Sequence, residues 1–125
     1  MSALTSARAH LAKAREFLEA AEVNRDLELY NAATANAVTS GINSKDAICL
    51  ALTGRTDKGD NHEEARAELR EAGPAGRALE PTLGRLLRLK PKAQYLQASV
   101  AASEAVKAVE WATRLLDGAQ EVVSG

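Results

Sequence analysis

Apolar side chains recur at alternating intervals of three and four from the first residues of the chain: Leu4, Ala7, Leu11, Ala14, Leu18 and Ala21. Those intervals return to one face of an α-helix at 3.6 residues per turn, so a single apolar stripe over residues 3–22 predicts an amphipathic helix. Lys13, Arg15, Glu16, Glu19 and Glu22 fall off the stripe. His10 sits beside it between Arg8 and Lys13, a setting that reads as surface or boundary. The same rhythm returns near the C-terminal end of the sequence, where Ala102, Ala105, Val109, Ala112, Leu116, Ala119 and Val123 predict a helix over 93–122. Trp111 lies outside that seam and needs a second surface, on a neighbouring helix or a partner subunit.

Hydrophobic residues make up 46% of the 125 positions, yet only Phe17, Tyr30, Tyr95 and Trp111 are aromatic and much of the rest is alanine. Small side chains favour close helix-to-helix contact over a thick aromatic core. The chain has the size of one ordinary domain with a real core. Its net charge of -1 produces no global field for nucleic acid or membrane, so any such binding must be local. No stretch approaches a membrane span and no signal-peptide core stands at the N-terminus, which predicts a soluble, cytoplasmic protein without a membrane partner. The single Cys49 has no disulfide partner within the chain and lies in an apolar helical run, as suits a buried thiol in a reducing compartment.

Asn24-Arg25-Asp26 offers a cap for a second helix over 27–53. In it, Ala33, Ala37, Ser40, Gly41 and Ser44 form a groove of small side chains, while Asn36, Asn43 and Asp46 ask for a polar neighbour. Two readings stay open for this helix: a tightly packed central helix with satisfied hydrogen bonds, or one with a face lining a polar cleft. The groove predicts self-pairing through Gly41. Asp46 is expected to point toward the helix end where Arg55 emerges, within about 13 Å along the axis, with Asn43 as a second supporting residue.

Gly54 stops this helix, and a new one begins after Arg55-Thr56-Asp57-Lys58-Gly59-Asp60-Asn61. Asp60 is the expected cap and Glu63 its reciprocal partner, which puts His62 at the second helical position, close to backbone donors that attract phosphate. A permanently charged guanidinium and an imidazole at one break between helices suit phosphodiester chemistry. The alternative is a solvated polar loop. Further on, Gly76, Pro81 and Gly84 interrupt a helical stretch, and Arg85, Arg88, Lys90 and Lys92 form the one concentrated basic run, with no acid between Glu80 and Glu104. Such a run is either a solvated face or a grip on an RNA backbone; aromatic residues are not interleaved with it, which argues against base stacking. The pattern as a whole predicts an all-α, up-and-down four-helix bundle with one short additional helix after the Arg55–His62 loop.

The order of these features resembles the HEPN superfamily (higher eukaryotes and prokaryotes nucleotide-binding), small helical bundles whose active members carry Arg, four to six intervening residues and His. Arg55 and His62 are separated by six. The resemblance extends to the Ala-rich second helix with Gly41-Ile42 and Asp46-Ala47 ahead of Gly54, and to Lys90 through Tyr95 leading into the last helix. It implies a metal-independent endoribonuclease without cofactors, a toxin or defence component working as a homodimer that brings two Arg-His pairs into one cleft, with an antitoxin or nucleotidyltransferase as further partner. In that chemistry the RNA 2′-hydroxyl attacks the adjacent phosphorus, His62 moves the proton and Arg55 stabilises the phosphoryl oxygens. Two histidines and one cysteine far apart in sequence offer no transition-metal cluster. Glu64 stands where relatives silenced by adenylylation carry a tyrosine, so that control has no obvious target. Two alternatives remain: a non-catalytic nucleotide- or RNA-binding HEPN module acting with a partner, and a purely structural dimerisation bundle.

Overall fold

The computed structural model describes residues 2–57 and 61–125. Among these, six α-helices and no strand are present: α1 (Ala3–Asp26), α2 (Tyr30–Thr53), α3 (His62–Glu71), α4 (Pro74–Leu87), α5 (Lys90–Gln94) and α6 (Ala102–Ser124). The all-helical expectation is met at that level, with one more short helix than the sequence pattern suggested.

The α1 stripe is buried at Ala7, Leu11, Ala14, Leu18 and Ala21, whereas Leu4, expected on it, is exposed in the first turn. Asn24-Arg25-Asp26 does not cap α2. It forms the last turn of α1, and the reversal falls on Leu27–Leu29, with Glu28 in the left-handed region (φ 62). Side-chain bonds then zip α1 to α2 in opposite directions: Asn36 donates to Asn24 at 2.7 Å, the Ser40 hydroxyl to the Ala14 carbonyl at 2.7 Å, and Asn43 meets His10 at 2.8 Å. As one sequence number rises the other falls, which is the signature of an antiparallel pair.

The central position belongs to α2. Its small-residue groove is filled from within the chain: a Cβ added at Gly41 would lie 2.5 Å from Leu86 Cδ2 and 3.2 Å from Leu115 Cδ1. Gly41 therefore seats α4 and α6 and offers no surface to a second copy, so self-pairing through this groove is corrected. Asn31 accepts the Val100 N–H at 2.8 Å just before α6, and Leu115 sits at Gly41 further on, so α2 and α6 run in the same sense. Ile48, Leu69, Leu83, Leu86, Leu87 and Leu115 are fully buried in the shared core, each contributing about 1.5–3 kcal/mol relative to exposure. Trp111 packs partly buried against this core.

The last helix begins at Ala102 rather than near residue 93. Two bonds fix the later start: Asn31 holds the Val100 N–H, and Glu104 reaches back to the Ala101 N–H at 3.0 Å. Pro81 does not interrupt α4, which runs through it with the ring on an exposed position. Glu80, buried in α4, receives Arg70 at 2.8 Å and Arg66 at 3.3 Å, locking α3 against α4.

Candidate functional site

Residue Gly54, at φ 80, ends α2 by accepting the left-handed conformation that only glycine adopts without cost, and its N–H returns to the Leu50 carbonyl. Arg55 follows on the surface. Its backbone carbonyl accepts the Thr53 hydroxyl at 3.0 Å, and among the described residues its guanidinium has no ion-pair partner. The expected caps at Asp60 and the glycine at position 59 lie outside the described residues. The cap that is seen is Asn61, whose side-chain oxygen accepts the N–H groups of Glu63 at 2.9 Å and Glu64 at 3.2 Å. His62 is thus the first residue of α3, not the second, and is half-buried. No hydrogen bond or ion pair joins the Arg55 and His62 side chains.

What ties the two ends of this loop together is a buried charged network that sequence reasoning missed. Lys45, nearly inaccessible at 2%, extends its ammonium to Asp46 at 3.1 Å, to the Thr56 hydroxyl oxygen at 3.1 Å and to the Asp57 carbonyl at 3.2 Å, and forms an ion pair with Glu68. The Thr56 hydroxyl lies 2.6 Å from Asp46 Oδ1 and 3.1 Å from Glu68 Oε1. Its single proton goes to the shorter contact. Glu68 Oε2 accepts the Asp57 N–H at 2.7 Å. The two residues after Arg55 are therefore fastened both to α2 and to α3, the helix that His62 begins; Glu68 stands six residues on, about 9 Å along its axis.

Burial alone would push the Lys45 ammonium toward its neutral form, yet its pKa is raised, because the bond to Glu68 and the charge of Asp46 outweigh desolvation. Among the described residues, two carboxylates, Asp46 and Glu68, surround this one ammonium. His10 borders the network: its Nδ1 is 2.8 Å from Asn43 Oδ1 and 3.9 Å from Asp46 Oδ2. His10, expected at the surface or boundary, is half-buried, its side chain 16% exposed, and belongs to this cluster. Asp46 likewise is engaged with Lys45 and Thr56 rather than with Arg55, while Asn43 orients His10. The one available sequence signal for this cluster was a charged pair, Lys45-Asp46, in the middle of an otherwise uncharged helix.

Behind the network, Cys49 is fully buried. Desolvation pushes its thiol up to about 12, so it remains protonated and unreactive at neutral pH.

The basic run lies elsewhere. Arg85 and Arg88 are exposed at the end of α4, Lys90 is half-buried at the start of α5, and Lys92 is held by Glu104 at 2.9 Å. Leu86 rests on Gly41, and Ala93 packs near Tyr30, so the run lies along the N-terminal half of α2, roughly 20 Å or more along its axis from Arg55. The structure does not bring these cations to the Arg55–His62 loop. Among the described residues, no group of three or more His, Cys, Asp or Glu side chains is placed to hold a metal ion, and no helix is long and apolar enough to cross a membrane.

No family model matches this chain, and no curated protein is similar to it at a significant level.

Proposed function

We propose that this protein is an HEPN-type, metal-independent endoribonuclease on an up-and-down helical bundle, with Arg55 and His62 as its reactive pair. The observation that carries the reading is the Lys45–Asp46–Thr56–Glu68 network, which fastens the stretch after the exposed Arg55 onto the helix begun by His62. Buried charges are costly to assemble, and this set spends them on the placement of one polar loop. In the reaction, the 2′-hydroxyl of RNA attacks the adjacent phosphorus, His62 takes the proton, and Arg55 faces the charge that develops on the phosphoryl oxygens. The exposed Arg85 and Arg88 serve to hold a more distant part of the RNA backbone.

A toxin or defence role in the cytoplasm, with an antitoxin or nucleotidyltransferase as partner, belongs to the same proposal. So does a homodimer, formed through a surface other than the filled groove around Gly41. The second reading is a non-catalytic RNA- or nucleotide-binding module. It is favoured by one observation, the absence of any bond between Arg55 and His62. Purified protein incubated with a broad set of transcripts in excess chelator separates the two readings: cleavage leaving 2′,3′-cyclic phosphate ends supports the nuclease, and RNA bound but left intact supports the module.

A further inference from the structure

Arg85, Arg88, Lys90 and Lys92 are neighbours along the chain, but the fold regroups the cations. Lys92 is held by Glu104 and Lys90 is half-buried. Arg77, which stands apart in the sequence beyond Glu80, joins Arg85 and Arg88 on one side of α4. Arg88, the C-cap, keeps helical backbone angles, so helix geometry places all three. They fall within an arc of roughly 80°, with Arg77 and Arg88 about 16 Å apart along the axis. All three are exposed, and among the described residues none of them forms an ion pair.

What keeps this face positive is the placement of one acid. Glu80 is the only carboxylate of α4. It is buried, and it is turned to α3, where Arg70 meets it at 2.8 Å and Arg66 at 3.3 Å. An exposed glutamate between Arg77 and Arg85 would neutralise part of their field; α3 takes that charge instead. The other exposed residues of α4, Pro74, Ala75, Ala78 and Pro81, are small and uncharged, so no side chain of the helix reaches as far out as the guanidinium groups. With a net charge of -1 on the whole chain, the positive potential here is local and comes from this sorting of signs.

Guanidinium groups bind phosphate oxygens in pairs. The face carries no aromatic ring on which a base could stack and no amide side chain to read a base edge. We propose that the outer face of α4 is a sequence-blind track for the sugar-phosphate backbone of RNA, with Arg77, Arg85 and Arg88 each holding a phosphate, an inference that rests on the RNA reading above. The track supplies affinity and not choice of sequence. Arg77 is its new member, legible only once the helix is folded and Glu80 is seen to be occupied.

The test measures binding of a 2′-O-methyl oligouridylate of about twelve nucleotides, whose blocked 2′-oxygen prevents cleavage, by fluorescence anisotropy over a range of salt. Each phosphate contact on a single strand adds about 0.7 to the salt slope, so Arg77→Gln is expected to weaken binding about fourfold at about 0.15 M salt and to lower the slope by about 0.7, as much as Arg85→Gln does. The triple variant Arg77→Gln, Arg85→Gln, Arg88→Gln is expected to lose about 50-fold. It should keep the circular dichroism of the parent, since none of the three side chains is buried. A 2′-O-methyl oligocytidylate of the same length is expected to bind within about threefold of the oligouridylate. Affinity and slope of Arg77→Gln equal to those of the parent, or a preference above about tenfold between the two oligonucleotides, overturns the track. Poly-L-glutamate that displaces the probe as well, charge for charge, as unlabelled oligonucleotide overturns RNA as the occupant in favour of an acidic protein. Cleavage of unmodified RNA keeps the two readings apart. Parent that cuts RNA while Arg77→Gln binds as tightly overturns the track alone; parent that binds through the three arginines but cuts nothing supports the track and overturns only the nuclease; parent that neither binds nor cuts overturns both.

Discussion

Asp46 Oδ1 accepts the hydroxyl of Thr56 at 2.6 Å, across the end of α2, and Lys45 lies 3.1 Å from both partners. This contact converts the residue after Arg55 from a free loop position into an extension of the helix core. Lys45→Met deletes the cation between Asp46 and Glu68 and leaves two carboxylates facing each other. The expected loss is about 3–5 kcal/mol in denaturant unfolding, the range for breaking a buried ion pair by removing one partner. A loss under about 1 kcal/mol would mean that the network does not hold the loop.

Gly41→Val tests the packing of α2. The new Cβ would lie 2.5 Å from Leu86, closer than real contacts allow, and tight against Leu115 at 3.2 Å, so overpacking is expected to cost about 1–3 kcal/mol. Light scattering should find the association state of the folded variant equal to that of the parent. A change in association without a change in stability would restore the groove as an interface.

Cys49 sets an alkaline limit on stability. Its folded pKa, about 12, lies above the ordinary 9.0, so the folded state binds more protons than the unfolded one between those values. The sign is that stability is fully present below pH 9 and declines as pH rises toward 12. The raised pKa of Lys45 acts in the same direction at higher pH. Thermal unfolding midpoints should fall across this window, less steeply in Cys49→Ala, and a flat profile would contradict the burial of the thiol.

The basic run makes a graded prediction for RNA affinity. Arg85→Gln and Arg88→Gln, at exposed positions, should each weaken binding and reduce the salt dependence by about one phosphate contact. Lys92→Gln should weaken it less, because that ammonium is already committed to Glu104, whose carboxyl it holds below the usual range by hydrogen bonding. Equal effects at all three positions would show that Lys92 is released when RNA binds.

The helices were legible in the sequence wherever apolar spacing and side-chain chemistry agreed, as in α1 and α6. Their ends were less so. Asn24-Arg25-Asp26 has the composition of a cap yet continues α1, because Asn24 finds its partner in Asn36, a tertiary bond that no local pattern encodes. The late start of α6 depends on Asn31, sixty-nine positions away along the chain. For the site, Arg55 and His62 could be picked out by residue type, but Lys45, Thr56 and Glu68 come from α2, the loop and α3, and only the packing of those elements brings them together. For His10 the boundary position was legible from Arg8 and Lys13, but its partner Asn43 on α2 was not.

Cleavage of RNA by His62→Ala, measured beside the parent and Arg55→Ala in excess chelator, tests the central claim most directly. Both side chains stand outside the buried core, so each variant should keep the helical circular dichroism of the parent. The account predicts that the parent leaves 2′,3′-cyclic phosphate ends on RNA and spares DNA, while both variants lose cleavage by 100-fold or more. Undiminished cleavage by folded His62→Ala would contradict it.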